Sequence, residues 1–213
     1  MRILASISTL IVLFCCCSGT SQLQKNDGWV SLFDGKSLNG WTANRNSGTF
    51  RVENGVIVVD GKQSHLFYSG DVMNHDFKDF EFSAEVMTVP GANSGIYFHT
   101  KYDESGWPGY GYEVQVNNSQ SDWRRTGSLY GIKDIRETFV NDNEWYTQSI
   151  LVKGKTIKIS LNGKEVLEYV EPENVERSSD MRGRKLASGT FALQGHDPES
   201  KVYYRNIRVR VIK

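Results

Sequence analysis

Hydrophobic residues in this chain recur at every second position, over short stretches bounded by Gly, Asn and Asp. That period belongs to strands with one face in a core. Residues 29–33, 50–53, 56–59, 66–68, 80–86, 94–100, 112–117, 129–132, 144–152, 156–161, 166–169, 189–194 and 202–212 read as strands. Asn54-Gly55 and Asn162-Gly163 are strong hairpin-turn signals between adjacent pairs. In 80–86, Phe80, Phe82, Ala84 and Val86 take one face, and Glu81, Ser83 and Glu85 the other. In 94–100, Ile96 and Phe98 oppose Gly95, Tyr97 and His99. Helical periodicity is nowhere sustained, and 172–184 is a polar, Arg-rich loop with room for a short helix. A fixed-period repeat is also missing, which argues against a propeller. The pattern predicts an all-β protein, a two-sheet antiparallel β-sandwich over 27–213, with Trp41 and Trp145 in its core.

The polar faces carry the chemistry. In 112–117, Tyr112, Val114 and Val116 point inward, so Glu113, Gln115 and Asn117 form a carboxylate–amide–amide row on the other side. If 80–86, 94–100, 112–117 and 189–194 share one sheet, Tyr97, His99 and Gln194 join that row, with His196 just beyond. Trp107, Tyr110 and Trp123 flank it, and Arg124 and Arg125 follow. Aromatic faces with amides and carboxylates are the composition of a polyol-binding surface. Glycosidases with paired carboxylates need two acids at about 5–5.5 Å or about 6.5–9.5 Å. Here the partner two positions from Glu113 is Gln115, which cannot ionise, and Glu81 and Glu85 are roughly 13 Å apart along a strand. A single Glu or His general base is the remaining option, from Glu113, His196 or His99. His65 and His75 sit in loop-like contexts and receive no role. A metal site from His99, Glu113 and His196 is an alternative without marked ligand spacing.

Composition narrows the partners. The 213 residues hold 25 Lys plus Arg and 25 Asp plus Glu. That balance gives no basic field for nucleic acid. The three cysteines are Cys15, Cys16 and Cys17, so the body carries neither a disulfide nor a thiol nucleophile. Arg2 precedes an apolar run over 3–14, too short for a comfortable span, and small Ser18 and Gly19 follow. Residues 1–17 read as an export signal, and the Cys run resembles a lipoprotein box with Cys17 lipidated. Residues 18–26 are then a tether, membrane contact is through the lipid alone, and the protein belongs in the cell envelope or is secreted.

Several ordered blocks carry a family resemblance: GWVSLFDGKSLNGWT at 28–42, NSGIYFH at 93–99, GYEVQV at 111–116, TGSLYGI at 126–132, NEWYTQSILVKGKTIKISLNG at 143–163, and FALQGH then YYRNIRVR within 191–210. Together they resemble the 3-keto-disaccharide hydrolase domain family, with His99 where the family pattern carries Arg. The resemblance implies a concanavalin A-like jelly roll and action on 3-keto-glycosides. In that chemistry a separate enzyme oxidises the sugar at C3, the ketone acidifies the C2 proton, and the glycosidic bond leaves by elimination before water adds. It implies Glu113 or His196 for proton transfer, Gln115 and Arg124 as donors to substrate oxygens, Tyr97 and Trp107 as stacking walls, and His99 and Gln194 as further substrate contacts. No cofactor is required by this chemistry. Rival readings are a non-catalytic carbohydrate-binding module and a divalent-cation lyase or isomerase.

Overall fold

In the computed structural model, which describes residues 27–104 and 106–212, thirteen strands follow one another. They are β1 (Trp29–Ser31), β2 (Trp41–Ala43), β3 (Phe50–Glu53), β4 (Val56–Asp60), β5 (Ser64–Tyr68), β6 (Phe80–Thr88), β7 (Ser94–Thr100), β8 (Tyr112–Val116), β9 (Tyr146–Lys153), β10 (Thr156–Leu161), β11 (Lys164–Val170), β12 (Thr190–Gly195) and β13 (Lys201–Val211). The export signal and tether expected at 1–26 lie outside the described residues. One sheet runs β11-β10-β9-β6-β13-β4-β3, with β1 also on β13; the other runs β2-β5-β12-β7-β8. Every pairing is antiparallel. This is the expected all-β sandwich.

Local chemistry explains the tight turns. Asn54 and Gly55 both take left-handed backbone between β3 and β4, and Asn162 and Gly163 do the same between β10 and β11. Two positive φ angles match the right-handed strand twist, and Asn and Gly tolerate them best. Between the sheets, Phe191 of β12 has ring centroids 4.7 Å from Phe77, 4.7 Å from Phe82 and 4.9 Å from Phe80. This aromatic stack ties β12 to β6 across the sandwich. Trp41 joins the core as expected, its Nε1 donating to the Leu32 carbonyl at 2.8 Å.

The two sheets differ on their outer faces. Strands β6, β9 and β10 keep a half-exposed or exposed residue at many alternate positions, as a solvated face should. Every residue of β5, β7, β8 and β12 is buried. Loops therefore cover the outer face of the five-stranded sheet. The segment 126–130 runs along the free edge of β8, with Gly127 N donating to Gln115 O and Tyr130 N to Glu113 O, both at 3.0 Å.

Three expectations are corrected here. Strand β6 lies in the eight-stranded sheet, so Glu81 and Glu85 face outward on the opposite side of the molecule, ion-paired to Arg210 and Arg205. Residues 129–132 form turns with isolated bridges rather than a strand. Trp145 is half-buried at the surface beneath Arg205, whose guanidinium lies 4.0 Å from its ring, so it is no core residue.

Phe191→Ala should cost about 3–5 kcal/mol, because it leaves a cavity where three rings meet. Denaturant unfolding reads this as a lower midpoint at unchanged m-value; a loss below about 1 kcal/mol would show that the aromatic stack is not a keystone of the core.

Candidate active site

Glu113 sits on the outer face of β8 and is nevertheless only 6% exposed. The cross-strand register explains how. Glu113 opposes Tyr97 on β7, and the next pair is Gln115 opposite Gly95. A Cβ at Gly95 would stand 2.9 Å from Glu113 Cγ and collide with the carboxylate. Glycine there lets the side chain lie across β7. Tyr97 Oη donates to Glu113 Oε2 at 2.6 Å, and Gln194 Nε2 of β12 donates to Oε1 at 2.7 Å.

Around this carboxylate is a cleft of about 190 Å³. Glu113, Gln115, Tyr97, Gln194, Trp107 and His196 all line it, and so do Asn93, Asp122, Tyr130 and Arg184. His196 Nδ1 lies 2.5 Å from Asp197 Oδ2. A carboxylate only accepts, so Nδ1 carries the hydrogen and Nε2 is the imidazole's remaining nitrogen. Trp107 is 48% exposed, and its ring lies 5.3 Å from that of His196. Gln115 Nε2 donates to Asn93 Oδ1 at 2.9 Å. The amide oxygens Gln115 Oε1 and Gln194 Oε1 are buried without a partner among the described residues.

Two expected site residues lie elsewhere, and one plays a different part. His99 takes a left-handed φ of 54°, where β7 carries an extra residue against β12. That bulge breaks the alternation and turns the ring away from the cleft, toward Phe80 and Phe98. Its Nδ1 accepts from Ala187 N at 3.2 Å, and Nε2 donates to the Lys78 carbonyl at 2.9 Å, so both nitrogens are used. The trio His99, Glu113 and His196 accordingly does not assemble. Arg124 points its Nε at Asp134 Oδ2, 3.1 Å away, and stacks on Tyr130 at 4.7 Å. It braces two cleft-lining residues, Tyr130 and Asp122, from behind. Arg125 caps its own loop through the Gln120 and Asp122 carbonyls. Tyr97 is 1% exposed, so it serves the cleft through its hydroxyl rather than as a stacking wall.

The guanidinium facing the cleft is Arg184, at the end of the polar segment 172–184. It is 8% exposed, lies 5.3 Å over the Tyr97 ring, and forms no ion pair with a described carboxylate. Gly111 N donates to Gly183 O at 3.0 Å, and a Cβ at Gly183 would collide with the Gly109 carbonyl, so this strap is fastened tightly to the 107–111 loop. Nothing in the periodicity marks Arg184, because loop residues carry none. His65, assigned no role from sequence, opposes Gln194 on β5. Its ring packs edge-on against Tyr97 at 5.3 Å and Trp107 at 5.4 Å. The signal was available: period two in 64–68 sets His65 and Phe67 on the same face.

Burial raises the pKa of Glu113 above the usual carboxylate range, only partly opposed by the Tyr97 hydrogen bond, the Arg184 charge and Gln194. Tyr97 is held well above its ordinary value by burial and then by the Glu113 charge, so it stays a donor. Burial, with help from the Arg184 charge, pushes His65 down to about 3 and keeps it neutral. Asp197 is also desolvated, but hydrogen bonds from His196 and Ser200 outweigh that and hold it below the usual range.

A carboxyl whose folded pKa is raised stabilises the fold only where it is protonated, and that contribution is lost as pH rises through the folded pKa. Glu113→Gln should therefore raise Tm at neutral pH by about 2–4 °C, the shift given by ~1 kcal/mol in a domain of this size. The gain should vanish below the ordinary value of 4.5, where wild-type Glu113 is protonated folded or unfolded. Thermal unfolding across pH checks this, and a Tm that falls at neutral pH would contradict the desolvation argument.

Comparison with known proteins agrees with the sequence resemblance. A Bacteroides thetaiotaomicron protein named 3-keto-disaccharide hydrolase is 27% identical, the match covering 87% of this chain and 79% of that one. A solved structure of a provisionally assigned glycosyl hydrolase from Parabacteroides distasonis superposes with a TM-score of 0.74 at 22% identity, over 87% of this chain and 94% of that one. A carbohydrate-binding module from Bacillus subtilis superposes with a TM-score of 0.56 at 13% identity, over 80% and 95%. At these identities the two structural matches speak for the fold. The sequence profile of the 3-keto-alpha-glucoside-1,2-lyase-like domain matches residues 28–210, and the chain belongs to that family.

Proposed function

We propose that this protein cleaves the glycosidic bond of 3-keto-glycosides by elimination, with Glu113 as the base. The observation that carries the reading is the pairing in one cleft of a desolvated carboxylate and a buried guanidinium without an ion-pair partner. A carboxylate of raised pKa is a stronger base and takes a carbon-bound proton more readily. In the reaction Glu113 removes the C2 proton. The electron pair moves onto the C3 oxygen as an enolate, which Arg184 stabilises. When it returns, the bond from C1 to the leaving oxygen breaks, and that oxygen takes up the proton Glu113 removed, relayed through His196 Nε2. Water adding across C1 and C2 completes a hydrolysis; release before that step leaves the unsaturated ketone.

Family membership and the name of the Bacteroides relative support the substrate class. The absence of an ionisable residue at Gln115 fits, because elimination needs one base and an oxyanion stabiliser rather than two acids. The unpartnered amide oxygens of Gln115 and Gln194 suit sugar hydroxyls, which donate. The apolar run 3–14 and the cysteines behind it support action outside the cytoplasm.

The test is incubation with a 3-keto-glucoside and with its unoxidised parent. Product release from the ketone alone is expected, and equal cleavage of the parent would defeat the reading. Binding of both without turnover would make the protein a carbohydrate-binding module. Glu113→Gln should lower kcat by about 10²–10⁴, the usual worth of a positioned base. Since Glu113 must be ionised, the wild-type rate should fall on the acid side at a pH above the ordinary carboxylate value of 4.5. An acid limb at or below that value would point to another base.

A further inference from the structure

One side chain fastens the strap that carries Arg184 to both sheets. Arg177 Nε donates to the Arg184 carbonyl at 2.8 Å, and its Nη2 donates to Tyr112 Oη at 2.9 Å and to Tyr169 Oη at 2.8 Å. Tyr112 precedes Glu113 on β8, and Tyr169 lies on β11 of the other sheet. Their rings stand 6.2 Å apart. The guanidinium thus ties the Arg184 backbone to the residue next to the carboxylate. A planar fork serves acceptors in several fixed directions at once, and an ammonium on a flexible stem does not.

A second fastening lies two residues beyond Arg184. Glu171 Oε2 accepts from Leu186 N at 2.9 Å and from the Tyr112 hydroxyl. Burial and the Glu171 bond push the Tyr112 phenol above its ordinary value, so it stays a donor. Arg177 Nη2 stands 4.0 Å from the same Glu171 oxygen, which balances its charge. Between these two points the Arg184 side chain turns into the cleft, with Nη1 3.4 Å from Gly111 O and the guanidinium 5.3 Å over the Tyr97 ring. The carbonyl that Arg177 holds therefore belongs to the residue that faces Glu113, and its orientation sets where that side chain starts.

We infer that Arg177 is a positioning residue, which holds the Arg184 guanidinium against the Glu113 cleft through the Arg184 carbonyl. Its effect on rate rests on the elimination reading of the cleft; its effect on the charges there does not.

Arg177→Lys keeps a positive charge beside Glu171, and so the fold, but loses the fork. Titrating the Glu113 carboxyl and the His65 imidazole by NMR then reports where Arg184 sits. The groups acting on Glu113 are Arg184, His196 and Tyr97, and those acting on His65 are Arg184, His196 and Asp103. The Arg184 charge lowers both pKa values, so its withdrawal should raise both. Simple loosening would admit water instead. Burial raises Glu113 and lowers His65, so water would bring Glu113 down while His65 rises. A joint rise supports the positioning role; a fall at Glu113, or no change at either group, overturns it.

With methyl 3-keto-glucoside, Arg177→Lys should lower kcat about 10–10²-fold and leave KM nearly unchanged, because the enolate charge develops only past the bound ground state. In an Arg184→Met background the same change should cost less than about twofold more. Fully additive losses would show that Arg177 does not act through Arg184. If the wild-type protein turns over no ketone, the elimination reading fails by itself, and the two titrations still decide the positioning role.

Discussion

A carboxylate on a sheet face is ordinarily left in water, because desolvating an ion costs several kcal/mol unless partners compensate. Glu113 is withdrawn from water by a missing Cβ. Gly95 leaves the gap across which the side chain lies, and Tyr97 and Gln194 supply the two hydrogen bonds. All three come from β7 and β12, the two strands next in order from β8 at the edge of the sheet. The carboxylate thus depends on the order β12-β7-β8, and Phe191 packs β12 onto β6 beneath it.

The cover over the carboxylate is built just as firmly. Arg184 reaches the cleft from a strap anchored to the far sheet. Arg177 bonds the hydroxyls of Tyr112 on β8 and Tyr169 on β11, and its Nε holds the Arg184 carbonyl at 2.8 Å. Glu171 accepts from Leu186 N at 2.9 Å beyond the strap. A buried guanidinium without a carboxylate partner is unfavourable alone, and only a backbone held on both sides keeps it in place. Such rigidity places a positive group where charge develops in a reaction, without reorganisation at that moment.

How much of this was legible follows from what periodicity encodes. Period two assigns a residue to a face, so Glu113, Gln115, Tyr97 and Gln194 could be read as one polar set. It does not say which strands are neighbours. Strands β6 and β7 alternate equally well, yet β6 pairs with β9 and β13 and β7 with β8 and β12, in different sheets. It also fails at a bulge: one left-handed residue at His99 reversed the facing of the side chain, with no Gly or Pro to announce it. Arg184 lies in a loop, where position depends on Gly183 and Gly109 touching across more than seventy residues of chain. The strand frame was therefore readable, and the charge opposite the carboxylate was not.

The same sandwich serves a carbohydrate-binding module, so architecture alone does not select chemistry. Depth of the polar face does. A surface that only binds sugars gains from exposed aromatics and solvated acceptors, and it has no use for an acid whose burial weakens the fold at neutral pH. Here Trp107 at the rim is half-exposed, while the acid and the guanidinium of the same cleft are closed in. Stability is given up at the one position where a strong base results. That local loss fits the proposed proton transfer at Glu113 better than a surface that merely holds a ring.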